Sequence, residues 1–228
     1  MKAITASDMK QINRKVVFDL VRRERTVTRV GLSERTGLSG PSILTVVNEF
    51  LEKGILSAAG KKNGLPGRSP MTMVFNPDVL LSIGFEFDGE SLSSGLVNLD
   101  GEIRFLSEER VPPELGADFF EMLCRKAVDL QRRAQAEGLC CSGIGLGIPG
   151  AVDIRERVVR FAPNIGMQNP VDISGLVERL ESRCGLPVFV ENDVNASAIG
   201  EFYRRKIREE VSDLLYVSVG TGIGAGLI

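Results

Sequence analysis

Three polar turns in the C-terminal half of the chain carry residue types that could hold a sugar and a phosphate. Asparagine side chains both donate and accept hydrogen bonds, as sugar hydroxyls require, and Asn164 and Asn192 lie in two of these turns. The adjacent carboxylate of Asp193 could accept two sugar hydroxyls or take a proton from one. The third turn contains Gly220, Thr221 and Gly222, whose backbone N–H groups could approach an anion closely.

Each turn taken alone has a simpler interpretation. An Asn-Asp pair near the start of a helix often serves only to cap that helix, and glycines often serve only to form turns. The positions of the turns relative to the predicted strands therefore decide between the two interpretations.

Strands and helices alternate over residues 76–228, and the polar turns follow the ends of predicted strands. In α/β sheets, ligands bind at the carboxyl ends of the strands. We therefore predict an α/β domain that holds a ligand at these turns. The predicted strands cover residues 81–87, 92–99, 103–106, 142–148, 187–190 and 214–219, and the predicted helices lie near residues 119–130, 173–180 and 196–203.

Residues 1–75 carry a different pattern, in which apolar residues recur at the spacing of helices. A helix over residues 29–35 is predicted to bury Val30 and Leu32. Gly37 can take the left-handed conformation that ends this helix, and Ser39 can cap the next one. The first helix is predicted around Met9, Ile12, Val16, Val17, Leu20 and Val21, and the third is predicted to bury Ile43, Val46, Val47, Phe50 and Leu51.

The exposed face of the third predicted helix carries short polar side chains near its N-terminal end. A DNA major groove admits such a helix with its N-terminal residues against the base edges. Ser42, Thr45 and Asn48 are therefore candidate base contacts, and Ser39, at the start of the same helix, is a further candidate for DNA binding.

Residues 55–57 and 71–75 predict a hairpin with a basic, glycine-rich tip, as in the wing of a winged helix-turn-helix domain. Lys61, Lys62 and Arg68 would contact DNA from this tip, and Arg68 suits a narrow A·T-rich minor groove. Two other interpretations stay open. The tip could be a flexible linker between domains, or the helix pair could bind protein instead of DNA.

The charge distribution separates the two parts of the chain. Residues 1–75 contain 13 Lys and Arg against 6 Asp and Glu, a surplus of seven positive charges. Residues 76–228 contain 15 against 24, a surplus of nine negative charges, which the net charge of −2 conceals. A basic segment indicates a polyanionic partner such as DNA, although a basic surface that is only solvated has the same composition.

Several classes of protein are excluded by composition. No apolar run reaches the length of about 18 residues that a membrane span needs, and the first residues lack a secretory signal, so we expect a cytoplasmic protein with no membrane partner. The chain has no histidine, which rules out Ser/His/Asp and Cys/His catalysis within it. Its four cysteines show no CxxC pairing, so we expect reduced thiols and no metal site; they are Cys124, Cys140, Cys141 and Cys184.

Taken together, these segments resemble the ROK family, which groups sugar-responsive bacterial repressors with sugar kinases. The matching pieces occur in the family's order. They are Gly147-Ile148-Pro149-Gly150-Ala151-Val152-Asp153, Ala162-Pro163-Asn164, Glu191-Asn192-Asp193-Val194-Asn195-Ala196 and Gly220-Thr221-Gly222-Ile223-Gly224, with Gly67-Arg68 in the wing of the repressor branch.

The resemblance implies an actin-like (ribonuclease H-like) sugar kinase fold behind an N-terminal winged helix. The chain would supply the first lobe and the start of the second, with a DNA-binding domain over residues 1–75 and a ROK domain over residues 76–228. It also implies that a sugar contacts Gly150, Asn164, Asn192 and Asp193, and that Gly220, Thr221 and Gly222 form the second phosphate turn.

The chain departs from the family pattern at the first phosphate turn, where the family has an Asp followed by Gly-Gly-Thr. Here Asp88 replaces a glycine and Glu90 replaces the threonine. Two carboxylates would repel a triphosphate by several kcal/mol, using an effective dielectric constant of about 20 at about 4 Å. This substitution argues against ATP binding and against a kinase.

A second departure is that the sequence stops at Ile228, soon after the second phosphate turn. The family's cysteine-rich zinc motif, a sugar-contacting glutamate and histidine, and most of the second lobe would follow that point. We therefore expect no bound cofactor, and a truncated gene product, a fragment or a reduced family member.

These observations predict a sugar-responsive DNA-binding transcriptional regulator, a repressor of carbohydrate-utilisation genes. Its expected partners are a double-stranded DNA operator, a small sugar or sugar-phosphate effector, and further copies of itself, because a palindromic operator calls for a dimer. One alternative is an ATP-dependent ROK-type sugar kinase with Asp193 as the base. Another is a DNA-binding and oligomerisation module whose sugar site is vestigial.

Overall fold

The computed structural model describes residues 5–59, 71–111, 115–206, 211–220 and 222–228. The chain divides into two compact units, of which the first ends at Val79 and the second begins at Leu80. No helix in the described part of the chain has the length and apolar character needed to cross a membrane.

The first unit consists of three helices and a small antiparallel sheet. The strand order in the sheet is β1-β3-β2, and β3 pairs with both of its neighbours. The elements are α1 (Ala6–Glu24), β1 (Thr26–Thr28), α2 (Arg29–Thr36), α3 (Gly40–Glu52), β2 (Leu56–Ala58) and β3 (Thr72–Phe75).

Local sequence signals set the ends of these helices. Thr28 caps α2 by accepting a hydrogen bond from the N–H of Gly31, and Ser39 caps α3 by accepting one from the N–H of Ser42. Gly37 ends α2 with a φ of 69°, in the left-handed region where glycine is favoured. The predictions that Gly37 ends α2 and that Ser39 caps α3 are confirmed.

The core of the first unit lies between α1 and the buried face of α3. Phe18 meets both Phe50 and Phe75 edge to face, with ring centroids 6.1 Å apart in each pair. The prediction for α2 was partly wrong, because Leu32 is 1% exposed whereas Val30 is 58% exposed. Residues two apart on a helix point to nearly opposite faces, so the two cannot both enter the core. The buried residues of α3 are Ile43, Val46, Val47 and Phe50, and Leu51 is half-buried.

The second unit is built on a five-stranded mixed sheet with the order β11-β7-β4-β5-β6. The pairs β4–β7 and β7–β11 are parallel, and the pairs β4–β5 and β5–β6 are antiparallel. The sheet strands are β4 (Leu80–Phe87), β5 (Ser91–Asn98), β6 (Ile103–Arg110), β7 (Cys140–Ile148) and β11 (Val188–Asn192).

Helices cover both faces of this sheet. One face is apolar because Leu81, Ile83, Phe85 and Phe87 alternate along β4, and α4 (Ala117–Ala136) and α5 (Ser174–Cys184) bury it. The other face admits α6 (Asp193–Lys206) because β7 carries glycines: a Cβ on Gly147 would lie 3.6 Å from the Cα of Asp193. The α6 helix therefore begins directly above β7, at the edge where the parallel strands end.

Two smaller sheets complete the second unit. The sheet of β8 (Ala151–Asp153), β9 (Val158–Phe161) and β10 (Val171–Asp172) was not anticipated from the sequence. The strands β12 (Leu215–Val219) and β13 (Ile223–Leu227) form an antiparallel hairpin on α6. Glycines in β13 allow this close approach, since a Cβ on Gly226 would lie 2.6 Å from the Cβ of Ala198. The opposite face of the hairpin is apolar and exposed; it carries Leu215, Val217, Val219, Ile223 and Leu227.

Candidate functional site

A cavity of about 560 Å³ opens where the parallel strands of the second unit end. Gly150 follows β7, Asn192 ends β11 and Asp193 begins α6, so strand ends and a helix start bring these three predicted sugar contacts together. The lining also includes Asp88, Glu90, Pro163, Val194, Ser218, Gly220, Gly222, Ile223 and Gly224.

Asn192 connects the ends of two neighbouring strands through its side-chain amide. Its Nδ2 donates hydrogen bonds to the carbonyl of Gly150 at 2.9 Å and to Oδ1 of Asp193 at 2.8 Å. Its Oδ1 accepts a hydrogen bond from the N–H of Asn195 at 3.0 Å. The amide therefore holds the shape of the cavity wall in addition to facing the cavity.

Asp193 is positioned by the first turn of α6. Its Oδ1 accepts a hydrogen bond from the N–H of Val194 at 2.9 Å as well as the one from Asn192. A carboxylate at a helix N-terminus is stabilised by the partial positive charge there. Among the described residues, no hydrogen bond reaches Oδ2, so this oxygen can accept a ligand hydroxyl.

Gly150 has a backbone conformation that only glycine tolerates at this position. Its φ is 97°, and a Cβ on it would overlap the carbonyl oxygen of Phe161 and lie 2.6 Å from the Cβ of Ala162. The turn after β7 therefore packs tightly on the segment that leads into the 3₁₀ helix Pro163–Ile165. That packing accompanies the placement of Pro163 in the cavity lining, directly before Asn164, whose side chain lies outside the described residues.

The turn between β4 and β5 is held together by the carboxylate of Asp88. Its Oδ1 accepts hydrogen bonds from the N–H groups of Glu90 and Ser91 at 2.8 and 2.7 Å, and its Oδ2 accepts one from the hydroxyl of Ser91 at 2.8 Å. Burial raises the pKa of Asp88, but the backbone and hydroxyl donors together lower it by more. The pKa of Asp88 therefore lies below its usual value.

Negative charge is concentrated at this end of the sheet. Burial raises the pKa of Glu86, and the charges of Asp193 and Asp88 raise it further. The three carboxylates therefore lie near enough to one another to interact. Within the described residues, no group of three or more Cys, Asp and Glu side chains is arranged to hold a metal ion.

In the first unit, α3 presents the predicted polar face on its exposed side. Ser39, Thr45 and Asn48 are exposed and Ser42 is half-buried. The hydroxyl of Thr45 donates to the carbonyl of Pro41 at 3.0 Å, and the hydroxyls of Ser39 and Ser42 are hydrogen-bonded at 2.9 Å. The predicted wing residues Lys61, Lys62 and Arg68, and Thr221 of the second unit, lie outside the described residues.

Two further residues belong to this face and were missed. Leu44 is 42% exposed, one helical turn before Asn48, and an apolar side chain there can contact a thymine methyl group. Arg29 of α2 donates a hydrogen bond from Nη2 to Oδ1 of Asn48 at 3.3 Å. The spacing of Leu44 from Asn48 was a readable signal, whereas the contact of Arg29 depends on how α2 crosses α3.

The single acidic residue in the middle of α3 is neutralised by two neighbours. Glu49 accepts hydrogen bonds from Arg14 at 2.8 Å and from Lys53 at 2.8 Å. The hydrogen bond from Lys53 lowers the pKa of Glu49, burial raises it, and Arg14 lowers it, with a net decrease. Glu49 therefore adds little net negative charge to the surface of the helix.

The chain combines a three-helix unit with an exposed polar helix face and an α/β unit with a ligand-sized cavity. Residues 82–228 match the model of the ROK family, and the chain belongs to that family. The chain is 32% identical over 225 residues to a putative xylose repressor from Caldicellulosiruptor sp. (strain Rt8B.4), a match that covers 96% of this chain and 54% of that protein. The chain thus spans about half the length of the curated relatives it matches.

Solved structures extend the likeness to the fold of both units. A ROK family transcriptional regulator, described as a homologue of the E. coli MLC protein, matches 96% of this chain and 55% of its own chain with a TM-score of 0.74 and 22% identity. A ROK family glucokinase from Streptomyces griseus, solved with glucose and AMPPNP, matches 65% of this chain and 44% of its own chain with a TM-score of 0.52 and 34% identity. The mixed α/β fold of the ROK proteins is therefore established for this chain.

Proposed function

We propose that this chain is the DNA-binding and sugar-sensing part of a transcriptional repressor of carbohydrate-utilisation genes. The observation that carries the proposal is the exposed polar face of α3, in a unit with surplus positive charge, on the same chain as the ROK cavity. The relative named as a putative xylose repressor supports it, because its match includes the N-terminal unit.

The first unit acts as a winged helix-turn-helix domain in this proposal. The α3 helix enters the major groove, where Ser42, Thr45 and Asn48 contact base edges and Ser39 contacts the backbone. The strands β2 and β3 pair as the two sides of a wing. Lys61, Lys62 and Arg68, between those strands in the sequence, would contact DNA from its tip.

The second unit takes a sugar effector in the cavity described above. Asp193 accepts ligand hydroxyls, Asn192 and Gly150 shape the wall, and Asn164 would add an amide contact. Gly220 and Gly222 line the same cavity, and the segment that contains them would supply the phosphate turn together with Thr221.

We also propose that the chain does not phosphorylate sugars. Asp88 and Glu90 place carboxylates where a bound triphosphate would add further negative charge. A coupled assay with ATP and a panel of hexoses and pentoses should therefore show no turnover above background. Turnover that disappears in Asp193→Asn would establish the kinase alternative instead.

The repressor would act as a homo-oligomer in the cytoplasm, where the chromosome is. A palindromic operator requires two copies related by a twofold axis. The exposed apolar face of the β12–β13 hairpin supports self-association, since apolar patches of this kind often mark interaction surfaces.

The experiment that tests the proposal is selection of bound duplexes from a random DNA library, followed by fluorescence anisotropy with the selected sequence. We expect a defined half-site that the double variant Thr45→Ala, Asn48→Ala no longer prefers. The double variant Asp129→Ala, Arg132→Ala on α4 serves as the control and should retain the preference. Recovery of no enriched sequence would contradict the DNA-binding function.

A further inference from the structure

We propose that the cavity of the second unit selects an unphosphorylated polyhydroxyl ligand over phosphorylated ones, and that Asp88 sets this preference. The inference rests on the proposed sugar-sensing function and specifies its ligand class. Four features support it: the hydrogen bonds of the β4–β5 turn, the charges of the lining, the ionisation of Asp88 and the size of the cavity.

The N–H groups of the β4–β5 turn are already occupied by a carboxylate. Asp88 takes the N–H groups of Glu90 and Ser91 and the hydroxyl of Ser91, at 2.7 to 2.8 Å. Backbone N–H groups in such a turn would otherwise be a binding site for an external anion. An incoming phosphate would have to displace an anion that is covalently part of the turn.

The charges of the lining oppose an anion as well. Asp88, Glu90 and Asp193 line the cavity, and the described lining residues include no Lys or Arg. A phosphate ester brings up to two negative charges close to these carboxylates, and none of the described lining residues offers a cation to compensate for them. The repulsion is larger inside a cavity than in free solution, because the protein lowers the local dielectric constant.

Asp88 keeps its charge over the physiological range. The donors of its own turn lower its pKa below the usual value despite its partial burial. Burial is the main cause of the raised pKa of Glu86, and the charges of Asp193 and Asp88 add to it. Their contribution is a separate sign that the electrostatic potential here is negative.

A neutral sugar faces none of these penalties. Its hydroxyls can donate to the free Oδ2 of Asp193 and to the carboxylate of Glu90, and its oxygens can accept from backbone N–H groups. The cavity volume of about 560 Å³ lies in the range of small-molecule sites and accommodates a monosaccharide.

The test compares each sugar with its own phosphate ester on the same protein. D-xylose, D-glucose and their phosphate esters are titrated into the protein, and binding is monitored by saturation-transfer NMR, which suits dissociation constants of about 1 mM. We expect both sugars to bind, and each ester to bind at least about tenfold more weakly.

The variants separate charge from shape. In Asp88→Asn the amide oxygen can still accept the turn's N–H groups, so the turn keeps its form while losing its charge. The ratio of the ester's dissociation constant to that of its sugar should then fall at least about threefold, and adding Glu90→Gln should lower this ratio further. Asp129→Asn, an exposed carboxylate on α4 outside the cavity, removes the same charge and should leave the ratio unchanged.

An ester that binds as tightly as its sugar, or a ratio unaffected by Asp88→Asn, overturns the inference. The absence of binding by both sugars and esters has a different meaning. It refutes the proposed sugar-sensing function, and the inference with it, while DNA binding by the first unit is measured separately.

Discussion

In the first unit the polar side chains of α3 stand exposed on one helix face, whereas in the second unit the polar groups of the cavity bind one another. Thr45 makes one hydrogen bond, to the turn before it. The side chain of Asn192 makes three, to Gly150, Asp193 and Asn195, and these link two strands and a helix. Substitution on α3 should therefore change recognition with little effect on stability, and substitution in the cavity wall should change stability first.

The charges of the two regions differ in the same systematic way. The basic surplus lies in the N-terminal part, and the acidic surplus lies in the rest of the chain, including the lining of the cavity. We therefore expect the first unit to attract a polyanion and the cavity of the second unit to repel a small anion.

Salt should weaken DNA binding steeply and leave sugar binding nearly unchanged. Each phosphate contact contributes a slope of about −0.9 to log K against log salt, so about six contacts cost about 1,000-fold in affinity between about 50 and 200 mM salt. A neutral sugar releases no counterions. Fluorescence anisotropy for DNA and NMR titration for D-xylose, on the same protein and salts, measure both. Equal slopes would remove the electrostatic contrast between the two units.

Gly150→Ala should destabilise the second unit by about 2–4 kcal/mol, because its φ is positive and the new Cβ meets the backbone of Phe161. Urea unfolding followed by circular dichroism measures the change. Gly200→Ala is the matched control. Its Cβ would enter open space on α6, so this variant should be neutral or more stable by about 0.5–1 kcal/mol. Similar losses in both variants would show that the turn is not constrained as described.

Asn192→Ala should lower the free energy of unfolding by about 1–3 kcal/mol, because the carbonyl of Gly150 and the N–H of Asn195 lose their partner. Thr45→Ala should change unfolding by less than about 0.5 kcal/mol. It should instead cost about 1–3 kcal/mol of discrimination at one base pair, measured by anisotropy on duplexes that differ at single positions. Reversed effects, with Thr45 governing stability and Asn192 not, would contradict the contrast drawn between α3 and the cavity wall.

The sequence predicted best those features that depend on neighbours along the chain. Gly37 ends α2 and Ser39 caps α3 because backbone conformation and capping are local. The small sheet of β8, β9 and β10 was missed, since strands of two to four residues form through tertiary pairing that no periodicity reveals. Asp88 was read only as a repelling charge, although an Asp-Gly pair between strands often marks a turn that the carboxylate itself stabilises.

The candidate sites follow the same division. The grouping of Gly150, Asn192 and Asp193 could be predicted because strand ends meet at one edge of a sheet. The hydrogen bonds that commit Asn192 to the cavity wall could not, because they depend on the exact start of α6. The family resemblance supplied the proposed role of the site, and the geometry showed which of its side chains hold others in place.

The variant Leu44→Ala, combined with a thymidine-to-deoxyuridine change in the DNA, tests the apolar contact on α3. In the wild-type protein, substitution of deoxyuridine for thymidine at one position of the half-site should weaken binding by about 0.5–1 kcal/mol, roughly one methyl group. In Leu44→Ala the same DNA substitution should have no effect. Leu44 is chosen because it is 42% exposed beside Asn48. Sensitivity that persists in Leu44→Ala would assign the methyl contact to another side chain.

Arg29→Ala should have the smallest effect, and a specific one. The contact of Arg29 with Asn48 is 3.3 Å long and exposed, so its loss should change the free energy of unfolding by less than about 0.5 kcal/mol. With Oδ1 of Asn48 held by Arg29, Nδ2 of Asn48 is directed to base acceptors. Without Arg29 the amide of Asn48 can turn over, and base preference at that position should fall about two- to threefold.

Arg35→Ala is the matched control, because Arg35 also lies on α2 but pairs with Glu24 at 2.8 Å. Both variants lose a positive charge and should bind all sequences somewhat more weakly. Only Arg29→Ala should alter the ranking of bases opposite Asn48, and an identical change in Arg35→Ala would reduce the role of Arg29 to charge alone.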